Sequence, residues 1–177
     1  AAFLLGAILG LRRSDIVNLQ FCNIDWERNT ISLVQEKTKK RVELPLVKEV
    51  GSALIDYLKN ERKNDCADKH VFLTLKPPYQ KMSVDTLYAG IQTAIWDSGV
   101  NVKRRHHGMH AMRHSLATRL LKDEQPLPMI ANVLGHSSSN STKSYLRVDM
   151  DGLKKCLLPI PPVPLTFYEQ KGGIFYE

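Results

Sequence analysis

Between His110 and Tyr145 the chain carries the side chain types needed for chemistry at a phosphate: H-A-M-R-H-S-L-A-T-R-L-L, Pro-marked turns, then V-L-G-H-S-S-S-N-S-T-K-S-Y. A phosphodiester under attack passes through a five-coordinate state whose non-bridging oxygens gain negative charge. Arg113 suits those oxygens, because a guanidinium donates two parallel hydrogen bonds and keeps its charge. Tyr145 is a candidate nucleophile, but a phenol with a free pKa near ~10 needs a base or strong local positive charge. His110 and His136 can supply the base or a hydrogen bond to a phosphate oxygen.

That set lacks a second phosphate-holding arginine and an acid for the leaving oxygen. Upstream, G-L-R-R-S-D puts Arg12 and Arg13 beside Asp15. The step from Arg12 to Asp15 lets the carboxylate brace the guanidinium, although chemistry alone leaves Arg12 and Arg13 as rivals. Lys37, within E-K-T-K-K, is long enough to reach and protonate a leaving oxygen. Lys39, Lys40 and Arg41 compete with it as simple contacts to a nucleic-acid backbone, and Arg104 and Arg105 read as a solvated basic face or further phosphate contacts.

Elements must hold these groups in place. His110 and Arg113 fall in a helical pattern and are expected to project from one side of it, with Met109, Met112, Leu116 and Leu120 on the adjoining apolar stripe. His114, four residues after His110, is expected to pack in the helix or bond the backbone; no third ligand of matching placement follows to make a metal site. Residues 1–11 read as a buried helix cut partway along, and helical pattern resumes through Ile16 and Leu19. I-S-L-V-Q and R-V-E-L-P form two short strands of a hairpin with a basic tip, ended by Pro45. Residues 47–62 form an amphipathic helix through Val50, Leu54 and Leu58. A loop over 64–82 holds the apolar patch V-F-L-T-L, and a helix over 83–98 is capped by Ser83 and stopped near Gly99. Pro126 and Pro128 open a short helix that Gly135 ends. Tyr57, Tyr79 and Tyr88, without basic company in the sequence, read as structural. After an amphipathic L-K-K-C-L-L, the Pro-rich stretch over 159–177 leads to a small hairpin or a disordered tail.

The 177 residues suit one domain with its own core. A net charge of +7 and a pI near 9.4 favour a polyanionic partner. Cys22, Cys66 and Cys156 are odd in number and form no C-x-x-C pair, so a reduced, intracellular protein is expected, without a zinc site or disulfide framework. The apolar run at residues 1–11 is too short to span a bilayer and lacks the flanks of a signal peptide. The chain has no P-loop, no H-E-x-x-H and no clustered carboxylates for Mg²⁺.

Taken in order, G-L-R-x-S-[DE], the hairpin lysine followed by L-P-L, H-x-x-R-H-S-x-A-T and L-G-H-x-x-x-x-x-x-x-x-Y together resemble the tyrosine recombinase (phage integrase) family over residues 10–157. The resemblance selects Arg12 over Arg13. It implies the family's catalytic-domain fold, mainly α with a small β-hairpin or sheet, truncated at its N-terminus and occupying residues 1–158. It also implies that Tyr145 attacks one strand of double-stranded DNA, forming a 3′-phosphotyrosyl link and freeing a 5′-hydroxyl. Arg12 and Arg113 would clamp the phosphate, Lys37 would protonate the leaving oxygen, His110 would act as base, and His136 would hydrogen-bond the phosphate. No cofactor and no metal is implied. Other recombinase subunits would be met on DNA through the C-terminal segment. Two other functions share the same features: a DNA-binding remnant without activity, and a relaxing enzyme similar to type IB topoisomerases.

Overall fold

A computed structural model describes residues 1–63, 68–101 and 107–135. His136, Tyr145, Arg104, Arg105 and the segment beyond Gly135 lie outside the described residues, as do Cys66 and Cys156. Six helices and a three-stranded antiparallel sheet make up the described part, in agreement with the helix-rich α+β expectation.

The opening apolar run forms a helix, α1, only over Ala2–Ala7. The chain then turns at Gly10, whose φ of +65° is strained for any residue with a Cβ, and starts α2 at Arg13–Val17. Ile16 and Leu19 are buried as expected. The hairpin forms from β2, Thr30–Val34, and β3, Arg41–Pro45, with Ile31 facing Leu44 and Leu33 facing Val42. A third strand, β1 at Ile24–Asp25, adds to the free side of β2. It escapes the sequence reading because two residues carry no period.

The amphipathic helix α3 spans Lys48–Asn60 and buries Val50 and Leu54. The stretch read as a loop over 64–82 is more tightly tied than that. Its Val71, Phe72 and Leu73 are buried, and isolated bridges pair His70 with Gln20 and Leu73 with Lys81. Helix α4, Val84–Asp97, starts where Ser83 accepts a hydrogen bond from the Thr86 N–H at 3.0 Å. Helix α5 covers Met109–Lys122, and α6 covers Leu127–Leu134 and ends on Gly135 in the left-handed conformation.

Two apolar groups hold these elements. The larger joins α1, α2, the sheet, α3 and α4 through Leu5, Ile16, Ile31, Leu54, Leu87 and Ile91. The smaller, Ala117, Ile130 and Leu134, locks α5 against α6. The stripe expected on α5 is shared between them: Met109 and Met112 join the first group, and Leu116 and Leu120 the second. So α5 bridges the two bodies of core, and α6 also lies against β3. Among the described residues no helix is long and apolar enough to cross a membrane.

Candidate functional site

Arg12 occupies the N-cap of α2 in an extended conformation, so its side chain leaves the helix rather than following it. The guanidinium turns inward. Its Nη1 donates to Oε1 of Gln35 and lies 3.9 Å from Oδ2 of Asp15. Asp15 is buried, and its Oδ1 accepts the Glu36 N–H at 2.9 Å while Oδ2 has no hydrogen bond. A buried carboxylate needs compensation, which the Arg12 charge and the Glu36 amide supply together. Asp15 thus braces both Arg12 and the turn that carries Lys37. Arg13, the chemical rival, stacks on the Tyr88 ring at 5.0 Å instead of joining Arg12, and its charge is felt at His110. Tyr88 therefore does have basic company, contrary to the sequence reading, because the pairing joins α2 to α4 across the fold.

Lys37 is exposed in the β2–β3 turn. That turn is pinned at both ends by Gln35: its N–H donates to the Lys40 carbonyl, its carbonyl accepts from the Lys39 N–H, each at 2.9 Å, and its side-chain Oε1 accepts from the Thr38 hydroxyl at 2.9 Å. Lys39, with a φ of 53°, pairs with Glu36 at 3.4 Å on the surface. Lys40 and Arg41 are exposed and edge a groove between β3 and α6.

His110 and Arg113 do not share one environment. The helical spacing is as expected, but the side chains diverge: His110 is exposed, whereas Arg113 is 5% exposed. Arg113 reaches across the core, donating from Nη1 to the Gly10 carbonyl at 2.6 Å and from Nη2 to the Leu134 carbonyl. One long side chain so ties α5 to the α1–α2 turn and to the end of α6. His114 neither packs in the helix nor simply bonds the backbone as expected. Its Nε2 lies 2.8 Å from Nε2 of His110, with the rings nearly perpendicular. Such a contact needs one N–H and one lone pair, so at least one ring is neutral. Partial loss of hydration, then the neighbouring His114, Arg113, Lys37 and Arg13, press the pKa of His110 below its ordinary value of 6.5. A neutral imidazole able to take a proton, in a field of cations, is the result.

The structure therefore brings Arg12, Asp15, Lys37, His110 and Arg113 to one side of the fold. Sequence reasoning missed Gln35, which is fully buried and donates from Nε2 to the same Leu134 carbonyl at 3.3 Å. A signal was present: Ile31 and Leu33 face inward, and the two-residue period of the strand puts Gln35 on that face. The network runs from Arg12 through Gln35 and the Leu134 carbonyl to Arg113 and back to Gly10, two residues before Arg12. Gly135 completes it, since a Cβ there would collide with the Gln35 amide. His136 follows directly in the sequence.

The model of the Phage integrase family matches residues 1–151. A putative integrase/recombinase of Sinorhizobium fredii, y4gC, is 36% identical over 155 residues, covering 88% of this chain and 79% of that protein. Among solved structures, the XerA recombinase superposes with a TM-score of 0.72 at 22% identity, over 88% of this chain and 55% of that one. The XerH site-specific recombinase, bound to palindromic difH substrate in a post-cleavage complex, gives 0.68 at 23% identity, over 88% and 43%. The chain thus spans most of one curated relative and about half of the solved recombinases.

Proposed function

The chain belongs to the phage integrase family, and from that membership we propose that residues 1–158 cut and rejoin double-stranded DNA through a 3′-phosphotyrosyl intermediate on Tyr145. The observation that supports the reading is the hydrogen-bonded network that joins Arg12 through Gln35 and the Leu134 carbonyl to Arg113, with the charges of Arg113 and Lys37 felt at the separate, exposed His110. In the reaction the Tyr145 oxygen bonds to phosphorus as the bond from phosphorus to the 5′ oxygen breaks. The phenol proton goes to His110, whose lowered pKa keeps it neutral and receptive. The departing 5′ oxygen takes a proton from Lys37, set on an exposed turn whose backbone is fixed. Arg12 and Arg113, with His136, offset the charge that grows on the non-bridging oxygens. Reversal by the 5′-hydroxyl of a partner strand restores the phosphodiester and the free enzyme.

DNA as substrate also accounts for the net charge of +7. Lys39, Lys40 and Arg41 at the turn, with Arg104 and Arg105, would hold the backbone, as phosphate contacts set register without reading sequence. Further subunits would be met through the C-terminal segment, and a DNA-acting enzyme of this kind would work in the cytoplasm at the nucleoid.

A nicked suicide substrate tests the reading, because the cleaved strand diffuses away and traps the covalent complex. The wild type should form the trapped complex, and Tyr145→Phe should lose it while binding DNA about as well. Binding without capture by the wild type would leave a DNA-binding remnant. Relaxation of supercoils without a defined site would favour the topoisomerase-like alternative.

A further inference from the structure

We propose that Gln35 is a positioning residue for the strand-transfer reaction, acting through Arg12; this inference rests on the function proposed above. The amide sits where no solvent reaches, and all three of its polar contacts belong to the site. Two donors, the Arg12 guanidinium and the Thr38 hydroxyl, meet one end, and the Leu134 carbonyl meets the other. That arrangement identifies which end is oxygen and which is nitrogen. Only a neutral side chain with both an acceptor and a donor satisfies it.

The choice of amide over carboxylate has a chemical consequence. A neutral acceptor orients Arg12 while leaving its positive charge for the phosphate. A carboxylate at the same place would neutralise much of that charge and would also face the Leu134 carbonyl, oxygen against oxygen. The buried Asp15 already stands 3.9 Å from Arg12, at the long end of ion-pair range. A second, closer anion would commit the guanidinium to the protein. Gln35 is therefore placed to aim a cation without quenching it. Through the Leu134 carbonyl it shares an acceptor with Arg113, so the two arginines are spaced by one amide and one peptide group.

The test compares capture rates on three suicide substrates: an ordinary scissile phosphate, a methylphosphonate, and a 5′-bridging phosphorothiolate. The methylphosphonate removes one charged oxygen and with it the need for a strong guanidinium. The phosphorothiolate leaves as a thiolate that needs no proton. On the ordinary substrate Gln35→Glu should be slower than wild type by about 10²-fold, the scale of losing one preorganised donor. On the methylphosphonate the gap should close to within roughly threefold, as expected when the lost element is charge stabilisation. On the phosphorothiolate it should stay open. Thr38→Val, which removes one donor from the same oxygen, should show the same pattern with a loss of only about 10-fold, and it serves if Gln35→Glu does not fold. Unchanged rates in both variants, a loss equal on all substrates, or rescue by the phosphorothiolate instead would overturn the role. Failure of the wild type to capture any of the three would instead sink the proposed function itself.

Discussion

Arg113 and His110 stand one helical turn apart on α5 and live in opposite surroundings. Arg113 is buried and gripped by main-chain carbonyls of two distant segments, while His110 is exposed, touches a second imidazole and sits in the field of several cations. The first is built as part of the fold, so its charge arrives already oriented. The second is built to titrate, so its chemistry follows its neighbours' charges. A single short helix thus supplies a fixed group and a responsive one, and damage to each should look different.

The largest effect is expected at Arg113. Arg113→Ala should lower unfolding stability by about 3 kcal/mol, because charged hydrogen bonds are lost and buried carbonyls lose a donor. Arg113→Lys should keep the charge yet lose at least ~10²-fold in cleavage, since an ammonium cannot span both carbonyls. Denaturant melts beside capture assays would show it, and a stable, active lysine variant would break the contrast. Next comes Arg12→Lys, where the partners are the side chains of Gln35 and Asp15 rather than main-chain carbonyls. Cleavage should fall by about 10²-fold or more while the melting temperature changes little, so rate and stability should separate.

A smaller effect sharpens the responsive side. The neutral form of His110 is favoured in the fold, so its contribution to stability is present above the ordinary value of 6.5 and is lost as pH falls below it toward the lowered value. The acid limb of the capture rate should accordingly lie below pH 6.5. His114→Leu removes one cause of the depression, so that limb should move upward. A pH profile that shifts downward, or not at all, would show that His114 does not tune His110. The smallest effect belongs to Lys39, outside both environments and paired with Glu36 on the surface. Lys39→Ala should weaken DNA binding modestly and reduce the slope of log affinity against log salt by about 1, with cleavage of bound DNA unchanged.

How much of this was legible depended on the range of each interaction. Helix α4 was readable because its Ser83 cap lies beside it, and α6 because Pro126 and Gly135 punctuate its ends. The hairpin followed from alternation through Ile31, Leu33, Val42 and Leu44. What failed to show was long-range. The stacking of Arg13 on Tyr88, the bridge of His70 to Gln20, and the hydrogen bond of Arg113 to Gly10 all join segments far apart in the chain. The spacing of His110 and Arg113 gave their common helix but not their depths, because a long side chain can leave the face from which its Cα points. Gln35 lay between these cases: its inward direction was readable from strand period, and its partner across 99 positions was not.

The grip of Arg113 on carbonyls has a hereditary side. Every amino acid brings the same peptide oxygen, so no point mutation at position 10 or 134 can delete the acceptor, only displace it. Selection at those two sites would act on shape, and no compensating swap of partner chemistry is available to Arg113. Arg12 is held by side chains at both Gln35 and Asp15, whose identities a single base change can alter. Among diverging descendants of this sequence, substitutions should therefore arrive in matched sets around Arg12 and singly, if at all, around Arg113.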